Sequence, residues 1–435
     1  MGPSNEDLQR SLSHLLSHPV PELSADKLKA FVAPYFEQRG RFLEAVRTHG
    51  SPLYLLDTAV LKARADRLKA AFENVFSPVG FYYAVKSNNH PDVARCLLAR
   101  GFGLDVSSGL ELKMALELDA REIVFSGPGK VGHELLLAAR HADRVTILMD
   151  SPGEMERLAA VASRLKQTVN CGVRLTVNPS GLWRKFGISV DAIEDFFRTA
   201  NRCPYIRLSG LQFHTSWNLS PRPQIAFIQK LGKTIGRLSP AHRKAIEFID
   251  IGGGYWPEEG EWLHPDATPP GRARQALGYA PECPASHHCL PAVPIESVAE
   301  QLGAAIHEHL FSILPGRICI EPGRWLSHEA MHLLVTVADK KAPDLVITDA
   351  GTNAIGWERF ESDYFPLLNL TRPSLTETPC HILGSLCTPH DVWGYFYFGT
   401  AIETGDILMV PNQGAYTYSL RQNFIKPLPK VVTAD

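Results

Sequence analysis

The sequence predicts an α/β fold, a (β/α)8 barrel of the TIM type followed by a mainly antiparallel C-terminal β-domain. From Pro52 to about residue 320, short apolar segments alternate with amphipathic helical segments. This alternation is typical of parallel strands joined by crossover helices, and the number of units favours a closed barrel over an open sheet. Beyond residue 320, short strand-like segments are separated by Gly, Pro and Asn turns, which is typical of antiparallel pairing.

Residues 1–50 are expected to form a helical extension that leads into the β-domain. Leu8, Leu12, Leu15 and Leu16 recur at helical spacing, and a second helical pattern starts at Ala25. The expected boundaries are 1–50 for the extension, 51–320 for the barrel and 321–435 for the β-domain.

The barrel strands are expected where the short apolar segments lie. The first is expected at 53–56, and further strands are expected at 81–85, 123–125, 145–148, 173–177, 208–213 and 248–251. The stretch 257–292 is rich in Pro and Gly and is expected to interrupt the barrel as a loop insertion. Its adjacent histidines, His287 and His288, lack the spacing of metal ligands, so solvated surface is expected there and no metal site is predicted.

The composition indicates a globular protein that binds small molecules. Lys and Arg number 44 against 46 for Asp and Glu, so a net charge of -2 offers no general attraction for nucleic acid or an anionic membrane. The eight cysteines show no paired spacing, which fits reduced thiols. Because no apolar run approaches the roughly 18 residues that span a bilayer, and no basic and apolar leader opens the chain, a cytoplasmic location is expected.

Lys86 ends the apolar, aromatic segment 81–85. An amine in a partly desolvated position has a lowered pKa, so a fraction of it is neutral and able to form a Schiff base with a carbonyl compound. Most strand-end lysines are simply solvated, and Lys86 alone is therefore a weak indication of function.

Three further segments place polar groups directly after predicted strands. Gly252, Gly253 and Gly254 offer either a phosphate cradle or a tight turn. His214 is more often structural in such a position, and Glu321 either accepts a hydrogen bond from a protonated ring nitrogen or pairs with Arg324 at the surface. Because barrel enzymes carry their reactive groups at the C-terminal ends of strands, these positions are expected to meet.

The predicted β-domain contributes a thiol and a phenol. Cys387 lies on a turn close to His390 and Asp391, although a cysteine used as a small hydrophobic residue is the usual case. Tyr416 follows Gly414 and Ala415, which is consistent with holding a phosphate oxygen or with packing.

Together these segments resemble the fold-type III pyridoxal 5'-phosphate (PLP) enzymes with an alanine racemase-like fold, specifically the diaminopimelate and ornithine decarboxylase family. The resemblance covers about residues 52–430. It also rests on 104–112 (LDVSSGLEL), 125–130 (FSGPGK), Asp150-Ser151 with Glu154, 177–179 (VNP), 185–188 (KFGI) and Gln422-Asn423-Phe424 with Pro427.

The resemblance implies a role for each of these groups. Lys86 would form the Schiff base with PLP, His214 would stack on its ring, and Glu321 would pair with its ring nitrogen. The remaining cofactor ligands would be Asp105, Ser216, Gly252, Gly253, Gly254, Gly323, Arg324 and Tyr416. Cys387 would enter the neighbouring subunit's active site in a homodimer with shared sites, and Cys387 or Lys86 would return a proton to the α-carbon after carbon dioxide leaves. The implied product is an amine.

The chain departs from the family pattern at positions that concern the substrate. The family usually follows its histidine with a Gly-Ser pair, where this chain has Thr215 and Ser216. An acidic residue commonly follows the family's cysteine, where this chain has Thr388. The substrate is therefore expected to be neither standard diaminopimelate nor ornithine. Without that acidic residue, an uncharged or acidic substrate side chain would leave no buried carboxylate of the protein unpaired. The expected substrate-binding residues are Arg359, Thr388, His390, Asp391 and Tyr416.

Two alternatives remain open at this point. An amino-acid racemase or epimerase on the same barrel shares the carbanion chemistry, although such enzymes generally place an arginine at the ring nitrogen, where this chain has Glu321. A non-catalytic PLP-binding regulatory homologue is the other, and the retained Lys86, His214 and Cys387 argue against it.

Overall fold

The structure is a computed structural model that describes residues 4–17, 20–279, 286–314, 316–356 and 363–434. The strands are β1 Leu53–Asp57, β2 Val79–Ala84, β3 Gly103–Val106, β4 Ile123–Phe125, β5 Val145–Met149, β6 Val169–Leu175, β7 Ile206–Phe213, β8 Phe248–Gly253, β9 Glu261–Leu263, β10 His288–Leu290, β11 Arg317–Glu321, β12 Met331–Ala342, β13 Leu345–Thr348, β14 Leu368–Asn369, β15 Glu377–Leu383, β16 Val392–Phe398, β17 Ile407–Val410 and β18 Lys430–Ala434. The helices are α1 Asn5–Ser17, α2 Ala25–Glu37, α3 Arg39–His49, α4 Thr58–Glu73, α5 Pro91–Leu98, α6 Gly109–Glu117, α7 Gly132–Arg140, α8 Pro152–Leu165, α9 Ile193–Ala200, α10 Arg222–Ile235, α11 Pro240–Ala245, α12 Pro269–Ala276, α13 Ile295–Ile306 and α14 Arg324–Ser327. None of the described helices is long and apolar enough to cross a membrane.

The chain divides into two compact units. The barrel unit comprises Thr58–Glu258 and Val293–His328, and the β unit comprises the described parts of Met1–Asp57, Glu259–Ala292 and Glu329–Asp435.

The barrel unit is a closed parallel barrel with strand order β11-β2-β3-β4-β5-β6-β7-β8. Its strands are almost wholly buried, which suits parallel strands covered by side chains inside and by helices outside. Side-chain caps start several of these helices; in α8, the Ser151 hydroxyl accepts a hydrogen bond from the Glu154 N–H at 3.1 Å. All eight strands point the same way, so their C-terminal ends form one rim, which confirms the predicted barrel.

The β unit is built on an eight-stranded sheet in the order β13-β15-β16-β14-β17-β12-β1-β18. Most of its pairings are antiparallel, and the parallel ones join β1 to β18, β13 to β15 and β14 to β16. Helices α2 and α3 pack on this sheet, where Val32 and Phe42 join Leu334 and Met409 in one apolar core. The predicted mainly antiparallel domain is thereby confirmed.

The prediction of 53–56 as the first barrel strand is wrong. This segment lies in β1, which pairs with β12 and β18 of the β unit. All five residues of β1 are buried, and a short apolar segment has the same pattern in either sheet. The sequence of the segment therefore does not reveal which strands pair with it. The barrel is completed instead by β3 and β11.

The stretch 257–292 is also more ordered than a loop insertion. Strands β9 and β10 pair antiparallel within the β unit, and α12 lies between them in sequence. His287 is only 5% exposed, so the expectation of solvated surface is wrong for this residue. Its ring stacks on Tyr364 at 3.6 Å, and its Nε2 lies 3.0 Å from a Glu377 carboxylate oxygen. Both partners are distant in sequence, so local composition gave no sign of them.

Candidate active site

Lys86 lies at the barrel rim, in the short 3-10 turn Val85–Ser87 that follows β2. Its Nζ is 3.1 Å from Asp105 Oδ2, and Asp105 is fully buried on the neighbouring strand β3. The other oxygen of Asp105 accepts a hydrogen bond from the Ser126 hydroxyl. A third of the lysine side chain remains exposed, so the amine is held by a buried carboxylate and still reachable from solvent.

Glu321 ends β11 and is 2% exposed. Gln212 Nε2 donates to both carboxylate oxygens at 3.3 and 3.4 Å, and His214 Nδ1 lies 3.9 Å from one of them. Burial raises the pKa of Glu321 well above its usual range, and the negative charges of Asp105 and Asp250 raise it further. Burial and these two charges therefore favour the protonated form of Glu321.

His214 follows β7 directly, and burial lowers its pKa well below the usual value, with the positive charges of Lys86 and Arg174 acting in the same direction. The Gly253 N–H donates to His214 Nδ1 at 3.3 Å. The imidazole is consequently neutral, with Nδ1 as the acceptor, and is suited to stacking on a flat ring.

The glycine run Gly252–Gly254 closes against the neighbouring strand ends. Gly252 and Gly254 have φ values of +68° and +82°, which favour glycine. A Cβ at Gly253 would lie 2.0 Å from the Glu321 carbonyl oxygen, and a Cβ at Gly254 would lie 3.1 Å from Ser216 Cα. The run therefore serves as a tight turn. The Gly252 N–H donates to Asp250 Oδ1 at 2.8 Å, and the Gly253 N–H donates to His214 Nδ1 at 3.3 Å.

Gly323 and Arg324 extend the same rim. A Cβ at Gly323 would lie 2.9 Å from Ser87 Cβ, and the Ala84 N–H donates to the Pro322 carbonyl at 3.1 Å, so the turn after β11 packs directly on the turn that carries Lys86. Arg324 begins α14 and is half-buried.

The predicted residues of the β unit differ in exposure. Cys387 and His390 are exposed, and Thr388 is half-buried. Asp391 is 2% exposed, and its oxygens accept from the Thr352 N–H at 2.7 Å, the Thr352 hydroxyl at 2.8 Å and the Leu386 N–H at 2.7 Å. Asp391 therefore organises the turn that bears Cys387.

Three predicted residues remain. Ser216 lies three residues beyond the end of β7 in the barrel unit and is half-buried. Tyr416 belongs to the β unit and adopts the left-handed backbone conformation, with φ of +58°. Arg359 lies outside the described residues.

Sequence reasoning missed two charged residues within the barrel strands. Asp250 on β8 is fully buried, accepts from the Gly252 N–H at 2.8 Å, and has its pKa raised to about 7, chiefly by burial. Arg174 on β6 is 8% exposed and donates to the Ser126 carbonyl at 3.2 Å. The available signal was a single charged residue inside an otherwise apolar strand, which is costly unless it is paired.

Residues 60–328 match the family model described as pyridoxal-dependent decarboxylase, pyridoxal binding domain. The chain belongs to the pyridoxal-dependent decarboxylases. A diaminopimelate decarboxylase from Methanothermobacter thermautotrophicus is 26% identical over 406 residues, covering 90% of this chain and 88% of the relative. Another from Campylobacter jejuni is 26% identical over 392 residues, covering 86% and 88%.

Solved structures share the fold. The diaminopimelate decarboxylase of M. jannaschii in complex with L-lysine superposes with a TM-score of 0.74 at 23% identity, covering 90% of this chain and 88% of that one. The lysine/ornithine decarboxylase of Vibrio vulnificus complexed with cadaverine gives 0.72 at 22% identity, covering 92% and 99%. This decarboxylase is therefore a PLP-dependent carboxy-lyase that acts on an amino acid, and the predicted family and cofactor are confirmed.

The barrel unit's residues fit PLP. Lys86 provides an amine beside a buried carboxylate, Glu321 provides a second buried carboxylate whose pKa is raised, and Arg324 provides a half-buried cation on the same rim. These are the three groups that an aldehyde, a ring nitrogen and a phosphate require.

Proposed function

We propose that this decarboxylase acts on an amino acid whose side chain carries no free cationic amine, and hence on neither standard diaminopimelate nor ornithine. One observation carries the proposal: Asp391, the nearest carboxylate after Cys387, has both oxygens engaged by Thr352 and Leu386. Thr388 occupies the place that is commonly acidic in the family. A distal ammonium would thus meet no available carboxylate on this turn, and an uncharged or acidic side chain would be favoured.

The proposed roles of the barrel residues follow from their surroundings. Lys86 would hold the cofactor through its amine, and Asp105 keeps that amine in place before reaction. PLP, when bound, supplies the electron sink into which the bonding electrons of the departing carboxylate flow. Glu321 holds a proton at the ring nitrogen, and the neutral His214 ring restricts tilting of the cofactor.

Cys387 is proposed to return a proton to the α-carbon of a substrate in the neighbouring subunit, within a head-to-tail homodimer. Its exposure on a turn of the β unit is compatible with reaching a second copy. Mixing inactive Lys86→Ala and Cys387→Ala chains is expected to restore about a quarter of wild-type activity, because random pairing yields heterodimers with one intact site. Failure to recover activity from subunits shown to exchange would contradict shared sites.

The substrate proposal is tested by measuring carbon dioxide release from a panel of amino acids. The panel contains L-ornithine, L-lysine, meso-diaminopimelate, N-acylated diamino acids and acidic amino acids. Turnover is expected from an uncharged or acidic member. A kcat/KM of roughly 10⁴ M⁻¹s⁻¹ or more with meso-diaminopimelate would overturn the substrate proposal.

A matched pair of variants sharpens this test. Thr388→Asp restores a carboxylate after the cysteine and is expected to raise kcat/KM for diamino acids at least tenfold, since a charge-assisted hydrogen bond contributes about 1.5–3 kcal/mol. Thr376→Asp places the same charge at an exposed threonine of the β unit and is expected to change nothing. Equal effects of the two variants would show that charge alone, and not its position, matters.

Attachment of the cofactor is tested separately. The purified protein with PLP is expected to show the visible absorbance band of a Schiff base, which survives dialysis and is lost in Lys86→Ala. Absence of the band in the wild-type protein would refute the role given to Lys86.

A further inference from the structure

Trp217 is an unusual residue at the barrel rim. It lies in the loop after His214, its φ is +56°, and its side chain is 52% exposed. A bulky residue in the left-handed region costs of order 1 kcal/mol or more, and an exposed ring gains little from packing. Strained residues of this kind cluster at functional sites.

The indole of Trp217 lies beside a second indole and a guanidinium. The ring centroids of Trp217 and Trp256 are 5.6 Å apart, with an interplanar angle of 39°. Arg324 Cζ lies 4.3 Å from the Trp256 ring centroid and 5.8 Å from that of Trp217. Both distances fall within the range of cation–π attraction, for which tryptophan is the best partner.

The loop that carries Trp217 is attached to the glycine turn. Asn218 N–H donates to the Gly254 carbonyl at 3.0 Å, and Asn218 Nδ2 donates to the Gly253 carbonyl at 2.8 Å. Trp256 follows the same turn two residues after Gly254. The two indoles are thus attached to the glycine turn.

Arg324 is held from the other side through its neighbour. Arg64 donates to the Trp325 carbonyl at 3.0 and 2.8 Å through Nε and an Nη, and its guanidinium stacks on the Trp325 ring at 3.6 Å. The backbone next to Arg324 is therefore anchored to α4. Stacking uses the face of a guanidinium, and its N–H groups donate hydrogen bonds in the plane of the group.

We propose that Trp217 and Trp256 are positioning residues that hold Arg324 against the glycine turn as the binding group for the cofactor's phosphate. This inference rests on the proposed function, in which Arg324 and the glycine turn receive that phosphate. The two indoles take over the fixing of the phosphate site in a chain that lacks the Gly-Ser pair after its histidine.

The test compares a phosphorylated and a non-phosphorylated ligand on cofactor-free protein. Dissociation constants for PLP and for pyridoxal are measured by spectral titration of wild type, Trp256→Leu, Trp217→Leu and Trp256→Phe. Trp256→Leu is expected to weaken PLP binding about tenfold and to leave pyridoxal binding within about twofold, with a smaller loss for Trp217→Leu. Trp256→Phe keeps an aromatic face and is expected to recover part of the loss.

Two controls separate positioning from general damage. Trp183→Leu removes a half-buried tryptophan whose ring lies tilted beside that of Phe186 elsewhere in the barrel unit, and should leave both affinities unchanged. In an Arg324→Gln background, Trp256→Leu should have no further effect on PLP binding. Equal weakening of PLP and pyridoxal by Trp256→Leu, or an unchanged PLP affinity, would overturn the proposal.

Inorganic phosphate distinguishes this inference from the proposed function. Its titration into cofactor-free protein should change tryptophan emission in wild type and in Trp183→Leu, and not in Arg324→Gln. If the wild type bound neither PLP nor pyridoxal, the proposed function would fail. The phosphate titration would still test the role of Trp217 and Trp256, because an unchanged tryptophan emission in the wild type would overturn that role.

Discussion

Lys130 and Glu154 form a buried ion pair in the barrel unit, and its removal should be strongly destabilising. Lys130 Nζ lies 2.7 Å from Glu154 Oε1, and each side chain is 1% exposed. The ammonium also donates to the Leu148 carbonyl at 2.7 Å. Lys130→Met leaves the Glu154 carboxylate buried without its cation, which costs about 3–5 kcal/mol. That is a large part of the roughly 5–15 kcal/mol by which domains are stable.

The same change should make stability depend more steeply on pH. Burial raises the pKa of Glu154 from 4.5, and the Lys130 charge opposes this rise. Without Lys130 the folded-state pKa rises further. A carboxyl with a raised folded-state pKa contributes stability that is complete below its unfolded pKa and is lost as pH rises through the folded value. The loss of stability caused by Lys130→Met is therefore expected to be larger at pH 8 than at pH 5.

Urea unfolding of cofactor-free protein at both pH values measures these effects. The double variant Lys130→Met/Glu154→Leu removes both charges, and should be at least about 2 kcal/mol more stable than Lys130→Met. Lys113→Met is the control, because its pair with Glu117 is exposed and 3.9 Å long, and should change stability by less than about 0.5 kcal/mol. A loss below about 1 kcal/mol in Lys130→Met, or no recovery in the double variant, would refute the reasoning.

Three further outcomes are expected. Asp391→Asn should lower stability by about 1.5–3 kcal/mol, because its one amide oxygen can accept from the Thr352 donors only if the amide nitrogen, which cannot accept, faces the Leu386 N–H; an unchanged stability with a raised KM would instead make Asp391 a substrate ligand. Gly254→Ala should lower both stability and PLP affinity, measured by thermal unfolding and spectral titration, since φ is +82° and a Cβ would lie 2.5 Å from the Thr215 carbonyl oxygen. Cofactor-free protein should lose stability as pH rises from about 4 to about 7, because Asp250 keeps its proton up to a folded-state pKa of about 7, whereas the unfolded chain releases it near the ordinary value of 3.8; Asp250→Asn should flatten that slope, and an unchanged slope would contradict the assignment.

The parts of the site that lie at strand ends were predictable from the sequence. Lys86, His214 and Glu321 each follow a buried apolar segment, and parallel strands in a barrel bring such ends to one rim. The interactions that tune these groups were not predictable, because Gln212 and Asp105 reach them across strands whose neighbours depend on barrel closure.

Partners distant in sequence account for the other misses. The role of Asp391 within its turn depends on Thr352, which the sequence around Cys387 does not reveal. The placement of β1 in the β unit depends on β12 and β18, which follow it only near the end of the chain. Local pattern fixes the type of an element, whereas its partner is decided by the packing of the whole unit.

The division of the chain into units has a consequence for its synthesis. The polypeptide passes from one unit to the other after Asp57, Glu258, Ala292 and His328, so neither unit is a continuous segment. The last barrel strand, β11, pairs with the first, β2, and β1 pairs with the final strand, β18. A nascent chain emerging from the ribosome therefore holds unpaired strand edges until almost all of it has been translated. Such late closure favours slow folding and dependence on chaperones, and makes the protein poorly suited to expression as separate fragments.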